Sequence, residues 1–257
     1  YPLTSLIAAG VRQFCIISDP ESLVSLEKLL ENGDQWGISI QYKEQKSPEG
    51  IAHAFLLAES FIDKDPIILM LGDNIFFGGS DLPNAIKSFR GGATIFAYRV
   101  KNPEEYGVVN FDGLGEVTSI EEKPAAPKSN FAIPGVYLYE SSVVNIAKSL
   151  SPSKRGELEI SDINHAFMKN KKLHVNRLSR GFMWLDAGTS SQLQKASAYI
   201  ETVESRQGIK IGCPEEAALV RGFISLTSFK MLLKGMPDCQ YRDYLELIAR
   251  QYSAGNF

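Results

Sequence analysis

Apolar and polar positions along this chain follow two periods, and the periods take turns. Residues 3–10 carry a helical spacing that Gly10 stops. Gln13–Ser18 (QFCIIS) reads as a short strand, and Leu23, Leu26, Leu29 and Leu30 behind Pro20 predict a helix over 20–32. Ile38–Tyr42 alternates as a strand does, and 49–62 returns to the helical period. Ile67–Leu71 is an unbroken apolar run suited to a strand buried on both faces. A helix over 81–90 and a strand over 93–99 complete the first hundred residues. Strand and helix in alternation imply right-handed crossovers and a mainly parallel sheet.

The middle of the chain changes character. Segments 107–111, 116–121 and 131–139 read as strands joined by Asp-Gly, Gly and Pro turn signals, which suggest antiparallel additions to the sheet. Helices over 141–149 and 159–169, strands over 173–178 and 182–185, and a long helix over 189–207 follow, and the last forty residues read as two or three short helices. The expected fold is α/β: a Rossmann-like three-layer α/β/α body with a mixed, mainly parallel central sheet, antiparallel additions and a small helical C-terminal part. Residues 1–210 are expected to form the α/β domain and 211–257 a helical appendage.

Composition narrows the function classes. The chain has 257 residues, 44% of them hydrophobic, enough for a large core. Lys and Arg number 27 against 30 Asp and Glu, a net charge of −3, and no basic run points to nucleic acid. Cys15, Cys213 and Cys239 are too scattered for a disulfide framework or a zinc site, and they suit a reducing cytoplasm. No apolar run approaches the ~20 residues that span a bilayer, and no signal peptide is visible. The expectations are a cytoplasmic protein with no membrane and no nucleic-acid partner.

Candidate chemistry sits where strands end. In an open α/β sheet, ligands bind beyond the carboxyl ends of the strands. The run ILMLGDN ends on Asp73 and Asn74, behind a Gly72 that lets backbone approach a ligand. The bland alternative for Asp73 is a turn or cap. FMWLDAGT repeats the pattern at Asp186, where Thr189 is at least as good a helix cap as the acid. Two strand-end carboxylates suit Mg2+, which takes one or two and completes its shell with water and phosphate oxygens. In QKSPEG, the Gln45 amide matches the hydrogen-bonding edge of thymine or uracil, and backbone N–H groups near Gly50 add a further donor. In IEEKP, a Glu122 carboxylate suits vicinal sugar hydroxyls and a Lys123 ammonium suits phosphate. Neighbours on a regular strand point to opposite faces, so this pair shares a site only if the strand distorts. Arg155, beside Gly156, could clamp a phosphate. His53 and His165 have no nucleophile or metal-ligand partner at a useful spacing and read as core or surface residues. There is no serine-nucleophile motif and no Cys/His dyad.

In this order, the segments QKSPEGIAHAF, ILMLGDNIFFG, PEEYGVV, IEEKP, RGELEISDIN, FMWLDAGT and ETVESRQG resemble the sugar-1-phosphate nucleotidylyltransferases. The similarity is closest to the short, homotetrameric bacterial type that thymidylylates glucose 1-phosphate, and it spans about residues 1–220. It implies attack of a glucose 1-phosphate oxygen on the α-phosphorus of dTTP, giving dTDP-glucose and pyrophosphate; a uridylyltransferase or an inactive sugar-nucleotide binder on the same fold is the alternative. Carried over by motif, Asp73 and Asp186 hold Mg2+, Gln45 and Gly50 read the base, and Lys123 and Arg155 grip the sugar phosphate. Tyr106, Gly107, Glu122, Ile133 and Asn74 then line the sugar pocket. Ile133, Pro134 and His53 stand where relatives have valine, threonine and glutamine. Arg180 and Glu216 match a second, regulatory nucleotide site, from which Gly79 departs, since histidine is usual there. The pathway implied is that of dTDP-rhamnose or a related deoxysugar for surface polysaccharide. The family also opens with a strand, a glycine-rich phosphate loop and a lysine segment that have no counterpart after Tyr1. The expectation is that the natural chain begins upstream, and that a polypeptide starting at Tyr1 folds poorly or turns over negligibly.

Overall fold

The computed structural model describes residues 1–255. The first hundred residues fold as α1 (Pro2–Ala8), β1 (Gln13–Ser18), α2 (Pro20–Leu30), β2 (Ser39–Glu44), α3 (His53–Leu57), α4 (Glu59–Ile62), β3 (Ile67–Met70), β4 (Asn74–Phe77), α5 (Asp81–Ser88) and β5 (Ala93–Arg99). The middle contributes β6 (Gly107–Phe111), β7 (Val117–Glu122), β8 (Phe131–Ala132) and β9 (Val136–Tyr139). Then come α6 (Val143–Ser149), α7 (Ile160–Lys169), β10 (Leu173–Arg177), β11 (Met183–Asp186), α8 (Ser190–Gln207), α9 (Pro214–Val220), α10 (Leu226–Gly235) and α11 (Gln240–Ser253).

Seven strands form the central sheet, in the order β3-β9-β5-β8-β6-β7 with β10 added on β5. Successive residues of its strands feed opposite cores. Ala93, Ile95 and Ala97 of β5 join Tyr137 and Tyr139 of β9 on one face, under Phe55, Val143, Val144, Ile163 and Phe167 from the helices. Phe96, Val136 and Leu138 point to the other, against Leu82 and Ala85 of α5 and Phe182 and Trp184 beside and within β11. A period of two in the strands, each face covered by helices, is the three-layer α/β arrangement the sequence implies. Phe96 is wholly buried, which is worth about 1.5–3 kcal/mol relative to exposure.

The pairing differs from a mainly parallel sheet. Among the described residues only β1–β2 and β5–β10 pair in parallel; the other ladders are antiparallel. The reason is β9, which lies between β3 and β5 and runs antiparallel to both. β3 and β5 therefore do point the same way, as helical crossovers require, but they are not neighbours. Three elements also depart from the expected spans. The helix over 49–62 is broken at Ala58 into α3 and α4. The strand over 131–139 is cut into β8 and β9 at Pro134-Gly135, where proline has no N–H to give a ladder. A Cβ on Gly135 would stand 2.7 Å from Leu71 and 2.8 Å from the Asn74 amide, so this close approach requires glycine. Finally, 74–77 is a strand that sequence reading left unassigned; it pairs antiparallel with β11.

Among the described residues no strand lies between β1 and β3. A cavity of about 590 Å³ lies there, walled by consecutive residues of both strands and by Phe55, Ala58 and Ile62. Gln45 and Gly72 also contribute to its walls. The C-terminal helices carry a core of their own, with Leu219, Phe229, Leu233, Leu245 and Ile248 at its centre. α9 joins it to the body, since Ala218 packs with Leu6 and Ile7 of α1.

Candidate active site

The β4–β11 ladder builds the centre of the site. Its register sets Asp186, the last residue of β11, opposite Asn74, the first of β4. Asp73 precedes Asn74, and its carbonyl accepts from the Ala187 N–H at 2.9 Å. Both acids then face one small gap. A Cβ placed on Gly188 would lie 3.0 Å from Asp73 Oδ2 and 3.1 Å from Asp186 Oδ1; the missing side chain keeps that gap open. Neither acid is a helix cap: Thr189 takes that role at α8, accepting from the Gln192 N–H.

Each carboxylate is held from behind. Asn74 Nδ2 donates to Asp73 Oδ1 at 2.7 Å. The Asn74 oxygen in turn accepts from Trp184 Nε1 at 2.7 Å and from the Gly135 N–H at 2.9 Å. That oxygen is fully used and the residue is 5% exposed, so one amide hydrogen is all that Asn74 has left for a sugar. Asp186 Oδ1 accepts from the Gly188 N–H, and Oδ2 from Gln192 Nε2 at 3.2 Å. Burial raises the Tyr106 phenol pKa, and the Gln192 side chain pulls it the other way. Sequence reading missed both Gln192 and Trp184. Gln192 lies in the first turn of α8, six residues past Asp186, and could have been found there; the Trp184 contact depends on β4, which had not been recognised.

Tyr106, Gly107, Glu122 and Ile133 are brought together on the adjoining wall. Gly107 pairs with Glu122 in the β6–β7 register. A Cβ on Gly107 would stand 3.1 Å from Glu122 Oε2 and 3.9 Å from Ile133. The Tyr106 ring meets Trp184 edge-on, centroids 5.1 Å apart, and so ties this wall to the acids. Burial pushes the Glu122 carboxyl up, against the pull of the Lys123 ammonium, with Glu159 and Arg155 as smaller influences. Lys123 follows directly on β7 and has φ of +42°, left-handed backbone for a residue with a Cβ. This is the distortion that Glu122 and Lys123 need if both are to serve one site. The Arg155 fork is engaged by Glu159, with Nη2 2.9 Å from each carboxylate oxygen, and Glu157 lies 3.5 Å away.

The third group centres on Gln45, which lines the cavity between β1 and β3. Gln45 follows β2, and its Nε2 lies 3.1 Å from the Gly50 carbonyl. Gly50 has φ of +94° and packs on the segment that follows Arg155: a Cβ there would be 2.4 Å from the Leu158 carbonyl. The Leu158 N–H donates to the Glu49 carbonyl at 2.7 Å, and Leu158 O accepts from Ala52 N–H at 3.1 Å. Glu216 and Gly79 line a separate cavity of about 340 Å³ whose walls do not include Arg180. Burial raises the Glu216 carboxyl, which accepts from the Tyr244 hydroxyl at 2.5 Å.

Residues 1–203 match the family model described as Nucleotidyl transferase. The chain belongs to the nucleotidyl transferase family. Within this family, it is 46% identical over 248 residues to a glucose-1-phosphate thymidylyltransferase of Neisseria meningitidis, covering 95% of this chain and 86% of that protein. A Mycolicibacterium smegmatis protein of the same name is 42% identical over 254 residues, covering 98% and 88%. A solved Bacillus anthracis structure, proposed to be a glucose-1-phosphate thymidylyltransferase and holding sucrose, superposes with a TM-score of 0.70 at 36% identity, covering 77% of this chain and 82% of that one. Among the described residues no helix is long and apolar enough to cross a membrane, and no group of three or more His, Cys, Asp or Glu gathers as a metal site would. The donor set at Asp73 and Asp186 is nevertheless of the kind magnesium uses, two carboxylates whose oxygens lie 3.0 and 3.1 Å from the point where Gly188 lacks a side chain.

Proposed function

We propose that this nucleotidyltransferase joins dTTP and glucose 1-phosphate to give dTDP-glucose and pyrophosphate, with Mg2+ held by Asp73 and Asp186. The observation that carries the reading is the pair of acids facing the Gly188 gap at 3.0 and 3.1 Å. The names of the relatives support the substrates. A phosphate oxygen of glucose 1-phosphate attacks the α-phosphorus; the bond from that phosphorus to the β-phosphate oxygen breaks, and its electrons leave with pyrophosphate. No group of the protein need be alkylated or phosphorylated, so the residues act by position and charge. Magnesium supplies neutralisation of the triphosphate charge. Gln45 and Gly50 take the base, and Tyr106, Gly107, Glu122 and Ile133 take the sugar. Lys123 and Arg155 take the sugar phosphate, Arg155 by exchanging Glu159 for it. UTP is the second reading, favoured by one fact: uracil offers Gln45 and the Gly50 N–H the same N3–H donor and O4 acceptor as thymine.

We further assign residues 1–210 to the catalytic body and 211–257 to an appendage. A cytoplasmic homotetramer serving dTDP-rhamnose or related deoxysugar synthesis completes the reading, with Arg180 and Glu216 at a regulatory site. Pyrophosphate release on mixing the protein with magnesium, glucose 1-phosphate and each of dTTP, UTP, dCTP and ATP tests it. The expected order puts dTTP or UTP first, and Asp186→Asn lowers the rate by about a hundredfold or more while the protein stays folded. Turnover of Asp186→Asn at the parent rate would overturn the assignment.

A further inference from the structure

The segment from Gln45 to His53 locks itself. Gln45 Nε2 lies 3.1 Å from the Gly50 carbonyl and 3.2 Å from His53 Nδ1. A carbonyl oxygen only accepts, so the Gln45 atom beside it is the NH2 end, and the orientation of that amide follows. The same NH2 then meets His53 Nδ1, which must accept and so carries no proton. The His53 proton therefore sits on Nε2, and Nε2 faces Glu49 Oε2 at 3.5 Å, where an N–H is welcome. Glu49 is tied in turn by the Ser47 hydroxyl at 2.9 Å. Ser47, Glu49, His53 and Gln45 thus form one directional relay. At its end the Gln45 oxygen has no hydrogen-bond partner among the described residues, and the residue forms part of the wall of the cavity that reaches Gly72.

We propose that His53 is a specificity-determining positioning residue: by accepting from the Gln45 amide nitrogen, it fixes the Gln45 oxygen outward as an acceptor. Resting on the base-reading role given to Gln45 above, this selects pyrimidines with a hydrogen on N3, thymine and uracil, and repels cytosine, whose N3 is a lone pair. With His53 absent, only the Gly50 carbonyl holds the amide, and the rotation that offers NH2 to the base becomes accessible.

His53→Ala is expected to raise the KM for dTTP roughly three- to tenfold with kcat little changed, and to raise dCTP use relative to dTTP by a similar factor. His53→Asn is expected to restore both to within about twofold, because its Oδ1 replaces Nδ1 as the acceptor. A structural role alone would not make the two variants diverge in base selection. The chain has three histidines, so imidazole 15N spectra compared with His53→Asn identify the His53 signals, which are expected to report the Nε2–H tautomer. An Nδ1–H tautomer overturns the proposal, as does an unchanged dCTP-to-dTTP ratio in a His53→Ala protein that melts like the parent. If the parent protein takes neither dTTP nor UTP, the base-reading role of Gln45 falls and the proposal falls with it. Selective use of dTTP by parent and His53→Ala alike leaves the reading standing and sinks only the role of His53.

Discussion

Asn74 holds three elements at once, and removing its side chain tests how the site is built. Asn74→Ala leaves the Trp184 indole N–H and the Gly135 N–H without the acceptor they meet at 2.7 and 2.9 Å. Both lie around a residue that is 5% exposed, so water is a poor substitute. An unpaired buried donor costs about 1–3 kcal/mol, and two such donors cost about 2–6 kcal/mol. For a chain of this size that is a fall in melting temperature of roughly 5–15 °C. Asn74→Asp separates scaffold from chemistry. Its oxygen still accepts from Trp184 and Gly135, so much of the stability survives. At the other end, however, a carboxylate oxygen replaces the NH2 that donates to Asp73 at 2.7 Å. Two carboxylates at that distance repel, and pyrophosphate release is expected to fall at least as far as in Asn74→Ala despite the higher melting temperature. Calorimetry and the release assay on both variants check this. An Asn74→Ala protein that melts within about 2 °C of the parent refutes the reasoning, because the two donors would then have found other partners.

Lys123→Gly removes the cost of left-handed backbone at φ +42°, so it should gain about 1 kcal/mol in urea unfolding while transfer activity falls; loss of stability would show that the lysine side chain, not the strain, dominates there. Glu140 ties together one end of β9, β5 and β10: its carboxylate accepts from the Gly92 N–H at 2.8 Å, the Ser142 hydroxyl at 2.7 Å and Lys172 at 3.1 Å, which pull its pKa from 4.5 to about 2. A carboxyl depressed in the folded state stabilises above its unfolded pKa and loses that contribution as the pH falls through the folded one. Glu140→Gln should therefore cost about 1–2 kcal/mol at neutral pH, and the gap should close between 4.5 and about 2. A gap that persists at the acid end would mean that the neutral carboxyl does as much.

Much of the fold is legible because burial imposes period. Ile67–Met70 and Ala93–Arg99 are read correctly as strands from apolar run and alternation, and the direction of β3 relative to β5 follows from the helix between them. What cannot be read is adjacency. Nothing in Val136–Tyr139 says that it inserts between two strands about seventy and about forty residues upstream, because any apolar strand of matching length satisfies both edges. Pro134-Gly135 is a turn signal set inside an apolar stretch, and the apolar residues on either side conceal the break. The Gln45–His53 relay is half legible: the glutamine stands out, but His53 reads as a core or surface residue because its partner is a glutamine amide rather than a nucleophile or a metal ligand.

The convergence of Asp73 and Asp186 has three independent causes, which is why two loops more than a hundred residues apart can meet with precision. The first is the antiparallel register that sets Asp186 against Asn74. The second is the hydrogen bond from the Ala187 N–H to the Asp73 carbonyl, which continues the ladder one step past the strands. The third is the absence of a side chain at Gly188, where a methyl group would press on both carboxylates. Sequence reading supplied the acids from the rule that ligands sit beyond strand ends, and it supplied the glycine only as part of a motif. The ladder is the missing term. Asn74–Phe77 is apolar enough to pair, yet it stands behind an Asp-Asn step that looks like a loop. That step is polar because it forms the site, and polarity at a strand's first residues conceals the strand. The residues that make the chemistry are therefore the ones that mask the element positioning them, and a polar break inside an apolar run, followed by three more apolar residues, should be read as two strands meeting at a site rather than as one strand ending.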